Sequence, residues 1–343
     1  MKAVVLRGPG DVGIDSVPDP AIHEETDAIV RVRATAICGA DLFPFHGLTP
    51  GFENGTVLGH EFAGEVVEAG PAVSTIGKGQ RVVNTSMISD GTCAYCRAGQ
   101  VTQCEGRSLF GYSGVYPRLD GGQAELVRVP QADRALLPLP NEVSDEQAVF
   151  LADILPTGYA SVVRGGVTVG DTVAVVGCGP VGLMAVLCAV GTAGRVIAID
   201  GIPARRELAA AFGAEPVAPE DADAAVRAAT EGLGADVVIE AAGSPGGLDA
   251  ALRLARGRGT ISVVGAHFEP DFPLDNALMF ERELTLRFTI GDPTRDGSRL
   301  LDLLAQQRLD PAKVVTHRLA LGDAAEGYRL FDSREATKVV MTP

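Results

Sequence analysis

The 343-residue chain has no uninterrupted apolar stretch of the roughly 18 residues needed to cross a bilayer. Its first residues, MKAVVLRGPG, enter an alternating pattern directly, with no apolar run behind a basic segment. No signal peptide is visible there, so a cytoplasmic protein is expected. Positive charge is scarce, with 29 Lys and Arg against 44 Asp and Glu and a net charge of −15. Binding to nucleic acid or to an anionic membrane surface draws mainly on phosphate neutralisation, and this balance argues against both as partners. Cysteine is scarce too: six in so long a chain do not make a disulfide framework. They read as metal ligands, catalytic groups or small core residues. Neither an internal repeat nor a low-complexity segment is present.

The 46% hydrophobic content is enough for two domains with separate cores. Residues 1 to about 150 are rich in Gly and Pro and carry alternating segments such as AIVRVRATAI and FAGEVVEAG, the period-two pattern of half-buried strands. From Leu155 to Ile290 the pattern becomes apolar strand, then helix, repeatedly: TVAVVG, VGLMAVLCAVG, RVIAID, ARRELAAAFGA, DVVIEAAG, GLDAALRLARG, TISVVG, ELTLRFTI. Such alternation predicts a parallel sheet covered on both faces. The tail returns to mixed elements and ends in a closing strand, KVVMTP.

Within that second region VAVVGCGPVGLMA sets Gly177, Gly179 and Gly182 in G-x-G-x-x-G spacing between strand and helix. Gly177 allows the tight turn, Gly179 lets backbone approach a pyrophosphate, and Gly182 lets helix pack on strand. With Pro180 and Val181 these form the candidate phosphate-binding turn, the helix N-terminus facing the charge. A glycine-rich turn can also serve packing alone, but here a second strand, RVIAID, ends at Asp200. An acid at that place accepts hydrogen bonds from the ribose hydroxyls of NAD and repels the 2′-phosphate of NADP. Arg205 is either beside the adenine ribose or a solvated helix-face arginine. Cys178 and Cys188 read as packing residues.

The stretch DGTCAYCRAGQVTQC, residues 90–104, holds three of the six cysteines. Asp90, Cys93, Cys96 and Cys104 have the spacing of a one-lobe structural zinc loop, with a carboxylate in place of the first thiolate. The competing readings are a loop that lost its metal and kept three thiols, and a redox pair at Cys93 and Cys96. The redox motif needs a βαβ context that this β-rich half lacks. A second group is scattered along the chain: Cys38 in AICGADL, His60 and Glu61 in LGHEFAGEVVEAG, and Asp153 in LADILPTGYA. Each alone has a bland explanation, as a small core residue, a turn histidine or surface acids. Joined to a nicotinamide fold, they make the three-ligand, one-open-position pattern of a catalytic zinc site.

With CGAD at 38–41, GHEFAGEVVEAG at 59–70, the zinc loop, DGGQAELVRVP at 120–130, DILPTGY at 153–159 and the nucleotide motif, the chain resembles zinc-dependent medium-chain alcohol dehydrogenases over essentially its whole length. The resemblance implies an α/β plus β fold. A chaperonin-10-like (GroES-like) β-barrel catalytic domain would span residues 1–154 and 291–343, with a Rossmann doubly wound parallel sheet inserted at 155–290. It makes Cys38, His60 and Asp153 the catalytic zinc ligands, with Glu61 a nearby or transient ligand. Asp153 stands where many members have a second cysteine, as in the subgroup of secondary-alcohol and formaldehyde dehydrogenases. Thr157 would pack beside the nicotinamide and the Val264 backbone would bind its carboxamide. Two zinc ions per chain, NAD in preference to NADP, and a small alcohol or carbonyl substrate follow. So does a homodimer or homotetramer joined near ELTLRFTI at the sheet edge. The implied reaction is hydride transfer between the substrate carbon and NAD(H).

One departure stands out. Where alcohol-oxidising relatives carry Ser or Thr and often His to pass the proton to solvent, this chain has Ala40 and Phe43, neither of which handles a proton. His46 is the candidate relay, against the alternative of a lone surface or structural histidine. A reductase of an iminium or conjugated alkene would need no relay, and a nucleotide-binding protein without catalysis is the remaining alternative. Phe43, Phe45, Phe52 and Phe110 are either the wall of an apolar pocket or core.

Overall fold

The strand Ala28–Ile37 organises the first part of the chain. Its two arginines, Arg31 and Arg33, face solvent, while Ala34 to Ile37 are buried without alternation because both faces are covered there. The strand pairs antiparallel with Phe62–Ala69, with Leu126–Val129 and with Val339–Thr342. His317–Ala320 runs parallel to Val339–Thr342 and completes the sheet on the tail side, and Arg81–Asn84 and Leu136–Pro138 extend it on the other. A small sheet of Asp11–Ser16, Lys2–Gly8 and Thr56–Val57 lies in the same unit. The register decides what meets at the sheet's end. Thr35 sits opposite Phe62 and Val339 opposite Ile37. The residues following Ile37, those preceding Phe62 and those preceding Val339 therefore converge on one corner.

The computed structural model describes residues 1–267 and 274–343. Its contacts divide the chain into Met1–Asp153 with Asp292–Pro343, and Ile154–Gly291. The first junction falls before Ile154 because that residue already opens the helix Ile154–Gly165. In the first unit Phe62 and Phe110, both fully buried, meet edge to face at 5.1 Å among Val30, Val66 and Val82. A separate core gathers Val4, Leu6, Ile37, Tyr328, Val339 and Met341. Phe110 is thus core, and Phe45 and Phe52 pack partly buried against the second cluster.

The second unit is a six-stranded, all-parallel sheet. Its spatial order is Glu215–Val217, Arg195–Ile199, Thr172–Val176, Ala235–Glu240, Ala255–Val263, Thr285–Phe288. This is the doubly wound order, in which the chain starts at the centre, builds outward one way, then returns to build the other. All five residues of Thr172–Val176 are buried, as a strand covered on both faces requires. Among the described residues no helix is long and apolar enough to cross a membrane.

Candidate metal and nucleotide sites

At the converging corner of the first unit, Cys38, His60, Glu61 and Asp153 each bring one ligand-capable atom to within 4.8 Å of the others. The Cys38 thiol lies 3.7 Å from Asp153 Oδ2, and His60 Nε2 lies 3.2 Å from the same oxygen. Cys38, His60 and Glu61 are buried, and Asp153, with a side chain 26% exposed, forms the open edge. Burial pushes the Cys38 thiol and the Glu61 carboxyl above their ordinary ranges. Burial opposes a charged His60, yet Asp41 and Cys38 hold its pKa well above the usual value. One sulfur, one imidazole nitrogen and carboxylate oxygens form a donor set suited to zinc. Glu61 Oε1 is buried with no hydrogen-bond partner, an acceptor atom that a cation would satisfy.

Two residues that sequence reasoning did not single out support this cluster. Asp41, fully buried, accepts the Cys38 backbone N–H on Oδ2 at 2.9 Å and sets Oδ1 3.2 Å from His60 Nδ1, an ion-pair distance at an angle short of a hydrogen bond. A carboxylate behind the far ring nitrogen leaves Nε2 for a metal. Its signal was present, as the acid of CGAD at the third position of the Gly39–Asp41 turn. Lys338, also fully buried, donates to Glu61 Oε2 and answers its charge. A lone lysine before the last strand gave no signal of its own.

Asp90, Cys93, Cys96 and Cys104 form a second convergence, again with ligand atoms within 4.8 Å. Asp90 Oδ1 accepts the N–H groups of Thr92 and Cys93 at 2.6 and 2.9 Å, which hold its carboxyl well below the ordinary range. The Cys96 N–H donates to the Cys93 sulfur and the Asp90 N–H to the Cys104 sulfur. Burial pushes the Cys104 thiol up to about 11. All six cysteines are free thiols, so no disulfide competes for the loop. Three thiols and a carboxylate oxygen around one point fit a closed tetrahedral zinc site.

In the second unit, Gly177 ends its strand with φ +91°, and a Cβ on Gly182 would lie 1.9 Å from the Gly177 carbonyl oxygen. Those two glycines answer to the protein's own backbone. Gly179 does not: a Cβ there would meet nothing closer than Arg205 Nη1 at 3.9 Å. The space above Gly179 is left by the fold, which matches a turn kept clear for phosphate at the N-terminus of Pro180–Val190. Pro180 takes the first helical position, where no N–H is needed. Val181 follows, half-buried in the first turn. Asp200 is braced across the turn, accepting the Cys178 N–H on Oδ2 and the Ile202 N–H on Oδ1, both at 2.7 Å. Arg205 Nη1 stands 3.9 Å from Asp200, its side chain only 16% exposed, so it is not a solvated helix-face residue. Arg206, which sequence reasoning passed over, donates to the Asp200 carbonyl at 2.7 Å.

Thr157 is buried in the first turn of its helix, close against Gly291. The Val264 N–H is already given to the Glu240 carbonyl at 2.8 Å, so what Val264 can offer a carboxamide is its own carbonyl. Glu240, fully buried at the end of its strand, also accepts the Ala242 and Gly243 N–H groups and pairs with His267 at 2.9 Å. The acid closing the apolar run VVIE was the available signal. His46 pairs with a residue outside the metal cluster. Its Nε2 meets Asp332 at 2.8 Å, with both side chains substantially exposed.

The chain as a whole has counterparts in known proteins. Residues 24–141 match the alcohol dehydrogenase GroES-like domain, and residues 180–306 match the zinc-binding dehydrogenase family. Zinc-type alcohol dehydrogenase B of Aspergillus flavus is 39% identical over 353 residues, covering 99% of this chain and 81% of its own. The solved alcohol dehydrogenase TADH from Thermus sp. ATN1 superposes with a TM-score of 0.95 at 40% identity, covering 100% of this chain and 99% of its own. A solved Sinorhizobium meliloti protein with NADP bound superposes at 0.88 with 31% identity, covering 100% of this chain and 99% of its own.

Proposed function

The chain belongs to the zinc-dependent medium-chain alcohol dehydrogenase family, and from that membership we propose a two-zinc, NAD-preferring enzyme that interconverts a small alcohol and its carbonyl product. Family membership itself makes it a zinc-dependent oxidoreductase working with a nicotinamide cofactor on a small molecule. The observation that carries the finer reading is the convergence of Cys38, His60, Glu61 and Asp153 within 4.8 Å. We take Cys38, His60 and Asp153 as the ligands and Glu61 as the adjoining acid, which assigns the chain to the subgroup with Asp as third ligand. When bound, zinc supplies a Lewis acid for the substrate oxygen and the nicotinamide supplies the hydride acceptor or donor.

The remaining work falls to side chains of this protein. Asp41 orients the His60 ring, and Lys338 pairs with the buried Glu61 carboxylate and offsets the cost of its burial. Asp153, at the exposed edge, marks the side from which substrate enters. Gly179 leaves room for the pyrophosphate, and Asp200, with two backbone N–H groups fixing its carboxylate, is oriented for the adenine ribose. Val264 offers a carbonyl to the carboxamide, and Thr157 lines the same unit. Free thiols throughout suit a reducing cytoplasm. Among the described residues the edge strand Thr285–Phe288 pairs on one side only, and Phe280, Phe288 and Ile290 close to it in sequence are exposed, which favours a homodimer or homotetramer through that edge. Ala40 and Phe43 give the second reading its footing: reduction of an iminium or conjugated alkene on the same scaffold needs no alcohol-proton relay.

Elemental analysis should give two zinc ions per chain, one for each cluster, falling to one in Asp90→Ala with a drop in melting temperature, because a structural zinc contributes folding free energy directly. A single zinc per chain, unchanged by that substitution, removes the structural site.

Turnover should be faster with NAD than with NADP. Asp200→Ser should weaken NAD binding about tenfold or more, the loss of a charged acceptor worth roughly 1.5–3 kcal/mol, and relax the discrimination. Gly179→Ala should weaken cofactor binding without lowering the melting temperature, since the added methyl meets only open space. Preference for NADP in the unaltered enzyme would refute the role given to Asp200.

If His46 relays the proton, His46→Ala lowers alcohol oxidation about tenfold or more while zinc and NAD stay bound. A silent His46→Ala together with faster alcohol turnover in Ala40→Ser favours the iminium or alkene reading.

Sedimentation at micromolar concentration should report a dimer or tetramer. A monomer there would exclude assembly through the Thr285–Phe288 edge.

A further inference from the structure

Behind Asp41 the buried polar groups continue. Gln123 Nε2 lies 3.3 Å from Asp41 Oδ2 and 3.2 Å from the Ala36 carbonyl oxygen, while Gln123 Oε1 lies 2.9 Å from the Tyr328 hydroxyl. The orientation of this amide is chemically forced. A carboxylate and a carbonyl can only accept, so the NH2 must face Asp41 and Ala36, and the amide oxygen is left to accept from the Tyr328 O–H. Both side chains are sealed from water, Gln123 at 0% and Tyr328 at 1% exposure. Two donors therefore meet on one oxygen of Asp41. Asp41 Oδ2 receives the Gln123 amide and the Cys38 backbone N–H, and Oδ1 is left facing His60 Nδ1 at 3.2 Å. The angle of that last contact is not ideal, so the aim of the Asp41 carboxylate, set from behind, decides how well it holds the ring.

We propose that Gln123 and Tyr328 are positioning residues for the metal-binding histidine: Tyr328 orients the Gln123 amide, which holds the Asp41 carboxylate against His60. The inference rests on the reading of Cys38, His60 and Asp153 as zinc ligands and extends it to two residues brought from distant parts of the chain, the DGGQ turn and the helix Ala324–Asp332. The alternative is that both residues merely fill the interior of the first unit. The two differ in what they do to the metal. Partners that orient a ligand alter metal affinity by about 10- to 100-fold when removed, whereas loss of packing lowers stability and leaves affinity alone.

The experiment is competition of the zinc-loaded enzyme against a chelator, following release from each site separately, with the Asp90–Cys104 loop as internal reference. Gln123→Met keeps length and bulk and deletes the hydrogen bonds. It should lower affinity at the Cys38–His60 site about tenfold or more with the loop zinc unchanged. Tyr328→Phe removes a single hydroxyl and should cause a smaller loss at the same site only. Affinity within about twofold of the parent in Gln123→Met, whatever its stability, overturns the proposal. If that variant does not fold, unchanged affinity in Tyr328→Phe overturns it equally. Cys38→Ala separates the two levels: retention of both zinc ions there would bring down the site assignment and this proposal with it. Loss of zinc there beside normal affinity in Gln123→Met brings down the proposal alone.

Discussion

The buried cluster of candidate metal ligands depends on a backbone register. Thr35 lies opposite Phe62 and Ile37 opposite Val339, and these pairings in one sheet bring Cys38, His60, Glu61 and Lys338 to the same place. Side chains on successive strand residues point to opposite faces, so a slip of one residue in either ladder would turn the pattern over and scatter the group. The alternation of buried Val30 and Val32 with exposed Arg31 and Arg33 in Ala28–Ile37 makes such a slip costly, because it would exchange the buried set for the solvent-facing one. The candidate metal cluster thus takes its precision from the hydrophobic core beside it.

That same burial imposes an electrostatic condition. A cysteine, a histidine and two buried carboxylates, Asp41 and Glu61, sit where water does not reach. Charged groups in such a place persist only when each is paired, and removing one partner of a buried pair costs about 3–5 kcal/mol. Lys338 meets one carboxylate of the corner, and Asp41 is shared among His60, Cys38 and Gln123. The donors left over are those a divalent cation would take.

What the sequence made legible follows the range of each interaction. The G-x-G-x-x-G turn, the second strand ending in Asp200, the alternating barrel strands and the cysteine spacing of the zinc loop are local patterns, and the structure has the turn, the strands and the convergence of the four loop residues. Asp41 was within reach, sitting inside a motif already in view. Lys338, Gln123 and Tyr328 were not, because their roles come from strand pairing and helix docking across much of the chain, which single residues do not announce. His46 illustrates the opposite case. Its proximity in sequence to Cys38 suggested a shared task, but its contact with Asp332, far along the chain, was not announced by the local sequence. Likewise Phe110 could not be sorted into pocket or core until its packing on Phe62 was known. The Val264 backbone could be named as a cofactor contact, but which of its two polar groups was free depended on Glu240.

The closing strand Val339–Thr342 has a consequence for the order in which the molecule assembles. The second unit is one continuous segment, Ile154–Gly291, and its strands and helices alternate between near neighbours in the chain. Its contacts can form while the rest is still being synthesised, and a domain of this kind folds as a unit. The first unit is different: it must hold its earlier strands in waiting until residues 338–342 emerge, since Ile37 acquires its partner Val339, and Glu61 its counter-ion Lys338, only then. Loop-closure entropy over so long an interval slows that step. The buried cluster around Glu61 therefore becomes electrostatically complete only after the second unit has been synthesised, and a nascent molecule can carry a finished parallel-sheet fold before that corner is in place.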